Sequence, residues 1–405
     1  MKRLVLSLLF AGLCLTSVEA QQQKAQQPQK KVPHAVRTCP EITARRTEIY
    51  IPQVKGYNVY KGDFHVHTSY SDGRVNPAGR VTEAWMDGLD IVAITDHYEG
   101  QRNLKNVFKA TVPYNESGEP TKYLSAFDAK KVMVDFNAIH REAEKQLEKS
   151  GYPMLLVKGC EMARNAKTHG HFNCIFVDDP NTLYDQDLKV AFKRVHEQGG
   201  IVIHNHPSYK RGTTDKSEWH TEVYNEGLID GVEVANGYSY YPLMVGRCLD
   251  EKLIMFGNTD EHGMTAHKYA AAGNHRTMTF VFAKELTEKA VKDALLKRRT
   301  LVYSGGNVIG EEKLLTDLLN ASVECRLVSE NLKDETRTYT LTNRSSVTYR
   351  LRRGKTIYEL EPYKPIICNC SKNKKTGKYN TPKFTVENMY HVDYKNLVVD
   401  LEIDK

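Results

Sequence analysis

The chain is poor in cysteine, carries little net charge for its size and, past its first twenty residues, has no long apolar run. Eight cysteines in 405 residues are too few and too scattered to demand a disulfide framework of the kind that holds small secreted domains together. Cys160 and Cys174 lie inside apolar strand-like runs, where a thiol reads as a small buried hydrophobe. Cys368 and Cys370 alternate around Asn369 and share a strand face, but no second pair completes a thiolate zinc site. The formal charge of +7 is mild, spread along the chain with Lys/Arg runs near both ends, and no recognised nucleic-acid-binding motif accompanies it. It therefore reads as solvated surface, and no nucleic-acid partner is expected. No internal repeat is present, and no segment after residue 20 could span a membrane. What is there, 40% hydrophobic and 26% charged residues, describes an ordinary globular chain long enough for one large catalytic domain plus a smaller one.

The first twenty residues, MKRLVLSLLFAGLCLTSVEA, join a basic start (Lys2, Arg3) to a short apolar stretch and a small-residue ending at Ala20. This is the pattern of a secretory signal peptide cleaved after Ala20, and it predicts a secreted, periplasmic protein. Cys14 raises the alternative of a lipoprotein, but Leu13 is bulky where a lipid-attachment site wants a small residue. Removal of that segment leaves seven cysteines, an odd number. Residues 21–36, QQQKAQQPQKKVPHAV, are polar and read as a flexible leader that extends to about residue 45.

From about Tyr57 short apolar runs alternate with helical patterns. The strand expectations are Asn58–Phe64, Asp90–Thr95, Met154–Gly159, Phe172–Val177, Gly200–Ile203, Gly231–Val234, Leu253–Gly257 and Thr277–Phe282, bounded by Gly, Pro or Asp as buried parallel strands are. Helices are expected over Pro77–Gly88, Ala126–Ser150 (with Ser125 as N-cap and Gly151 as stop), Leu188–Gln198 and Leu286–Lys297. Such alternation suggests a barrel or doubly wound α/β domain over residues 46–317. After about Leu318 the pattern turns to β-branched runs with little helical periodicity: Glu324–Ser329, Thr336–Asn343, Val347–Leu351, Lys383–Val386 and Leu397–Ile403. Residues 318–405 therefore read as a small β-sandwich-like domain.

The residues that carry chemistry stand at the ends of those strands. His65 and His67 are two apart, so on a strand both imidazoles face one side, and Thr68, Ser71, Asp72 and Gly73 follow in a turn that can bring a carboxylate back over them. Asp96 and His97 end the next strand, and Glu161 ends the third, where one carboxylate can bridge two ions. His169 and His171 precede the fourth, His204 and His206 close the fifth, and Asp260 and His262 follow a later one. Each alone has a plainer reading as a helix cap or loop residue. Six such clusters in one alternating βα region point to a polynuclear metal centre.

Taken together, HxHTxxSDG, GLDIVAITDH, a Glu after a strand, His-Pro after GGIVI and DxH near GN resemble the PHP (polymerase and histidinol phosphatase) family, over about Gly62 to Gly263 with family-like flanks to Gly305. The resemblance implies a distorted seven-stranded (βα) barrel with a trinuclear centre at the C-terminal ends of the strands. It implies one ion held by His65, His67, Glu161 and Asp260, a second by Glu161, His171 and His206, and a third by Asp72, His97 and His262. In some members a histidine stands where Asp72 is. His206 is preferred to His204 because the family's ligand directly precedes proline, and His171 to His169 because it abuts the strand. Imidazole and carboxylate donors suit zinc, manganese or iron, so two to three such divalent ions are the expected cofactors.

Two ions sharing a hydroxide can clamp both oxygens of an in-line displacement at phosphorus, so a phosphoesterase acting on a small phosphoester is expected. Arg164 and Asn165 are the candidates for phosphate contact, since a guanidinium fork matches phosphate oxygens. His204 is a candidate acid for the leaving oxygen or an orienter of a ligand, and Asp96 a partner orienting a metal-bound imidazole. Export favours a diester over an intracellular histidine-pathway substrate, and TFVFAKELTEKAVKDALLKRRTLVYSGG resembles an exported phosphodiesterase-like branch of the family. The same donors would also serve hydrolysis of a carbamate, amide or ester. A third reading is an exported, non-enzymatic metal- or glycan-binding protein.

Overall fold

A computed structural model describes residues 45–98 and 135–403. The expected signal peptide, the leader to residue 44, Cys14, Ser125 and residues 126–134 of the second expected helix lie outside the described residues. The helix that was expected from Ala126 runs over Phe136–Ser150, with Asp135 accepting from Asn137 and Ala138 N–H at its start and Gly151 in the left-handed conformation at its end.

Every strand expected before residue 290 is present within a few residues. They are β1 (Asn58–Val66), β2 (Ile91–Ile94), β3 (Leu155–Ala163), β4 (His171–Ile175), β5 (Ile201–His204) and β6 (Gly231–Asn236), then, after the short β7 (Ser239–Tyr240), β8 (Ile254–Asn258) and β9 (Met278–Ala283). β10 (Thr300–Ser304) and β11 (Asn307–Ile309) follow. Helices Pro77–Met86, Leu188–Glu197 and Glu288–Leu296 stand where expected; Glu218–Asn225, Pro242–Asp250 and Glu312–Ser322 were not foreseen.

The fold is mixed α/β, and not all of its strands are parallel. β1, β2 and β3 pair in parallel, as do β5, β6 and β8, but β4 runs antiparallel to both β3 and β5, and β9 antiparallel to β1. The reason at β4 is chain length. A parallel crossover needs a dozen or more residues, and only residues 164–170 separate β3 from β4.

Among the described residues no ladder closes the sheet into a barrel. Between β8 and the β1–β9 pair the joint is made by isolated bonds. Phe64 N–H donates to Asn258 Oδ1 at 2.9 Å, Gly257 N–H donates to Thr279 Oγ1 at 2.9 Å, and a single parallel bridge joins Val66 to Glu261.

The C-terminal strands are β12 (Val323–Asn331), β13 (Thr336–Asn343), β14 (Tyr349–Arg353), β15 (Thr356–Leu360), β16 (Pro365–Ser371), β17 (Lys383–His391) and β18 (Lys395–Asp400). β12, β13 and β16 form their own sheet. β17 instead pairs in parallel with β11, so β14, β15, β17 and β18 continue the large sheet. One buried cluster runs from Ile49 to Leu401, with Leu315, Leu318 and Leu319 of the helix Glu312–Ser322 inside it.

Candidate metal centre

The site is assembled from strand ends. β1 delivers His65 and, one step beyond, His67, both fully buried, while Val66 between them packs into the core. The chain then turns sharply. Asp96 at the end of β2 accepts from Thr68 N–H at 2.7 Å and Thr68 Oγ1 at 2.6 Å, and also from Ser71 Oγ. Gly73 lies so close to His67 that a Cβ there would sit 2.6 Å from the His67 carbonyl oxygen. This turn carries Asp72 back over the strand. β3 and β4 supply Glu161 and His171 from one antiparallel pair, in which Glu161 stands opposite Asn173. His206 and Asp260 follow β5 and β8 with positive φ, 25° and 54°, a backbone region that non-glycine residues adopt only when surrounding contacts hold them there.

All nine strand-end residues converge. Asp260 Oδ1 lies 3.1 Å from His65 Nε2 and 3.0 Å from His67 Nε2, and these two nitrogens are 3.1 Å from each other. Glu161 is the hub. Its Oε1 is 3.3 Å from His171 Nδ1, 3.5 Å from His65 Nε2 and 3.6 Å from His206 Nε2, and its Oε2 is 2.8 Å from His97 Nδ1 and 3.4 Å from His67 Nε2. Asp72 gathers the rest: His262 Nε2 at 3.1 Å, His97 Nε2 at 3.6 Å and His67 Nδ1 at 3.8 Å.

Donor atoms close enough to share an ion fall into three sets: His65, His67 and Asp260; His65, Glu161 and His206; and His67, Asp72, His97 and His262. His171 reaches Glu161 but stands outside these sets, and His67 belongs to two of them. His67 Nδ1 is buried without a hydrogen-bond partner, and His97 Nδ1 and Glu161 Oε2, 2.8 Å apart, have no partner but each other. Such orphaned atoms, all on imidazole or carboxylate, are what divalent cations would satisfy, so these residues fit the implied ions.

The electrostatics show the same crowding. Burial, with His262 and His97 as neighbours, lowers His67 to about 3. Burial also opposes charge on His97, yet Glu161 and Asp72 outweigh it and push that imidazole up to about 10. His65, His206 and His262 are likewise raised against burial by the surrounding carboxylates. Glu161 and Asp260 are held well below the usual carboxylate range: burial opposes this, and the imidazoles prevail.

A cleft of about 660 Å3 opens over the cluster. Arg164, Asn165, Lys167, Tyr209 and Lys210 line its wall. Arg164 is engaged there: Nη2 donates to the Asp185 carbonyl and the guanidinium lies 5.3 Å from the Tyr184 ring. Asn165 shapes the loop, its carbonyl accepting from the N–H groups of Thr168, His169 and Gly170.

Of the two uncertain histidine pairs, His206 and His171 face the cleft, and the others turn away. His204 Nδ1 lies 2.8 Å from Tyr224 Oη, its ring stacked against Phe172 and His220. His169 sits against Trp219, its Nδ1 2.8 Å from Thr168 Oγ1. Neither lines the cleft, so His204 has no line to a leaving group there. Asp96 differs from expectation too: its hydrogen bonds hold the Thr68–Ser71 turn, not an imidazole, and so it places Asp72.

Two residues were missed. Glu233 on β6 is fully buried, with Oε1 2.7 Å from His65 Nδ1 and Oε2 accepting from His206 N–H at 2.7 Å. It fixes which nitrogen of His65 faces the centre and holds the His206 backbone. Asn205 donates from Nδ2 to Glu161 Oε1 and to Asn173 Oδ1, both at 2.8 Å. A charged residue in the apolar run GVEVAN was the available signal for Glu233, because a carboxylate on a buried strand requires a partner.

Comparison with known proteins follows the same lines. A two-domain protein of Bacteroides vulgatus containing a predicted PHP-like metal-dependent phosphoesterase is 32% identical, with a TM-score of 0.74 over 89% of this chain and 99% of that one. An amidohydrolase of Chromobacterium violaceum (14% identical, 50% of this chain and 87% of that one, TM-score 0.33) and a lesion-specific endonuclease of Pyrococcus furiosus (14%, 68% and 65%, 0.37) are more distant. No curated protein matches. The PHP domain model matches residues 63–278, more than half of the chain and all nine converging side chains, and the chain belongs to the PHP domain family.

Proposed function

We propose that this chain is an exported metal-dependent phosphoesterase that cleaves a small phosphodiester. The observation that carries the reading is the convergence of nine imidazole and carboxylate side chains, seven of them lining a cleft walled by Arg164, Lys167 and Lys210, with His67 Nδ1 buried and unpartnered among them. By family resemblance the ligand sets would be His65, His67, Glu161 and Asp260, then Glu161, His171 and His206, then Asp72, His97 and His262; the donor atoms themselves add His67 to the last set and leave His171 reaching only Glu161. Zinc, manganese or iron bound there would acidify water and polarise phosphoryl oxygens.

The chain's own residues do the rest. Lys167 and Lys210 flank the opening and would attract an anionic ester, and Arg164, held in place by Asp185 and Tyr184, presents its guanidinium at the wall. Asn205 keeps Glu161 Oε1 aimed at the centre. The open cleft leaves room for substituents on both sides of phosphorus, which favours a diester. Export rests on the N-terminal pattern of residues 1–20.

The test is a substrate panel on full-length protein loaded in turn with zinc, manganese and iron(II), with metal content measured alongside. Bis-(p-nitrophenyl) phosphate is expected to turn over fastest, and His65→Ala to lose at least about a hundredfold. Turnover confined to aryl carbamates or carboxylic esters would replace phosphorus by carbon as the electrophile. No turnover with every site filled would overturn the enzymatic reading. N-terminal sequencing of exported protein should begin at Gln21.

A further inference from the structure

Cys160 and Cys174 stand directly opposite each other across the antiparallel strands β3 and β4. The flanking bonds, Phe176 N–H to the Lys158 carbonyl at 3.0 Å and Arg164 N–H to the Gly170 carbonyl at 3.3 Å, show that even-numbered residues of β3 occupy hydrogen-bonded pairs. Opposed Cα atoms in such a pair lie about 5.5 Å apart, with both side chains on one face of the sheet. Disulfides commonly span this Cα separation, but they hold their Cβ atoms within about 4.5 Å, closer than a hydrogen-bonded pair sets them, so bonding these two thiols, which are free in the structure, draws the strands slightly together. Both cysteines are fully buried, on the face opposite to that of their neighbours Glu161 and Asn173.

The other cysteines among the described residues lack this arrangement. Cys368 and Cys370 share one strand and Cys325 stands opposite Leu341, while Cys248 is on a helix.

We propose that Cys160 and Cys174 are a disulfide-forming pair that staples β3 to β4 behind the metal centre. The oxidant is a small disulfide such as oxidised glutathione. One cysteine loses its proton and attacks the glutathione disulfide, forming a mixed disulfide and releasing one glutathione thiolate. The second thiolate attacks the protein sulfur of that mixed disulfide and releases the other glutathione. One S–S bond forms in the protein, one breaks in the oxidant, and two electrons pass between them. Neither sulfur is accessible in the folded chain, so the exchange belongs to folding, before helix Leu188–Glu197 covers this face, as it does where Phe192 meets the Phe172 ring at 4.9 Å. Once closed, the staple keeps Glu161 and His171 from parting. It does so whichever bond the centre hydrolyses.

The experiment refolds full-length protein in glutathione buffer or in dithiothreitol, blocks free thiols with N-ethylmaleimide and maps peptides without reduction. The expected result is a cross-linked peptide pair containing Cys160 and Cys174 in the glutathione sample alone. That sample should unfold about 5 °C or more above its reduced counterpart. It should also lose zinc to a chelator several-fold more slowly, and Cys174→Ala should abolish both differences. If that variant does not fold, the two wild-type samples carry the comparison. Maleimide on both cysteines after oxidative refolding, or a cross-link to a different cysteine, overturns the pairing. A Cys160–Cys174 bond with unchanged unfolding and unchanged zinc release overturns the staple.

Discussion

Glu233 holds two parts of the candidate metal centre at once. With Oε1 on His65 Nδ1 and Oε2 on the His206 N–H, one buried carboxylate sets an imidazole tautomer and a strained backbone turn together. Glu233→Gln keeps the shape and removes the charge. It is expected to weaken metal binding about 10–100-fold while the protein still folds, as measured by competition with a chromogenic chelator. An unchanged chelator midpoint would refute the role. The ligand candidates were legible in the sequence because side chains two apart on a strand share a face, and strand ends open onto loops. Glu233 was not, because GVEVAN reads as one apolar strand unless its single charge is taken as a demand for a partner. Arg164 shows the opposite limit: its place at the cleft was foreseen, but its hold on the Asp185 carbonyl depends on a residue 21 positions away.

Among the elements, the antiparallel β4 is the instructive departure. Alternating apolar runs announce strands without announcing their direction, and the short 164–170 connection was the overlooked sign. The helix Leu188–Glu197 offers a pH test at its last turn, where His196 Nε2 lies 2.8 Å from Asp230 Oδ2, the same oxygen that accepts from Val202 N–H. That hydrogen bond, more than the charge, raises the His196 pKa above 6.5 despite partial burial. A raised imidazole pKa stabilises the fold fully below the unfolded value near 6.5, and the contribution fades as pH rises through the folded value. His196→Gln should therefore lower the unfolding midpoint at pH 5.5 and leave it nearly unchanged at pH 9. Solvent screening of this partly exposed pair limits the effect to under about 1 kcal/mol. A deficit that grows towards pH 9 would contradict the assignment.

For the whole molecule, the join between β11 and β17 means that residues beyond 318 complete the large sheet. The change of texture near Leu318 was visible in the sequence, but a pairing between strands some eighty positions apart leaves no local mark. A chain ending at residue 317 would lose β17 and uncover the core around Leu315. It is expected to show no cooperative thermal transition, and a soluble fragment melting within a few degrees of the full chain would disprove this. Metal loading is expected to act just as broadly. The surrounding carboxylates raise His65, His97, His206 and His262 above the ordinary imidazole value, His97 up to about 10, so zinc binding is expected to displace protons and a pH-stat at pH 7 should record their release. At a thousandfold excess over Kd the bound ion should add about 4 kcal/mol to stability, and chelation should remove it. No proton release on binding would contradict the raised imidazole values. The β3–β4 hairpin also suggests an order of assembly, since local contacts close at lower entropic cost than distant ones. Glu161 and His171, ten positions apart, can meet as soon as that hairpin exists, whereas Asp260 reaches His65 only after the chain between them has folded. A centre that needs Asp260 beside His65 to hold an ion would therefore test, by retaining that ion, whether nearly everything else is in place.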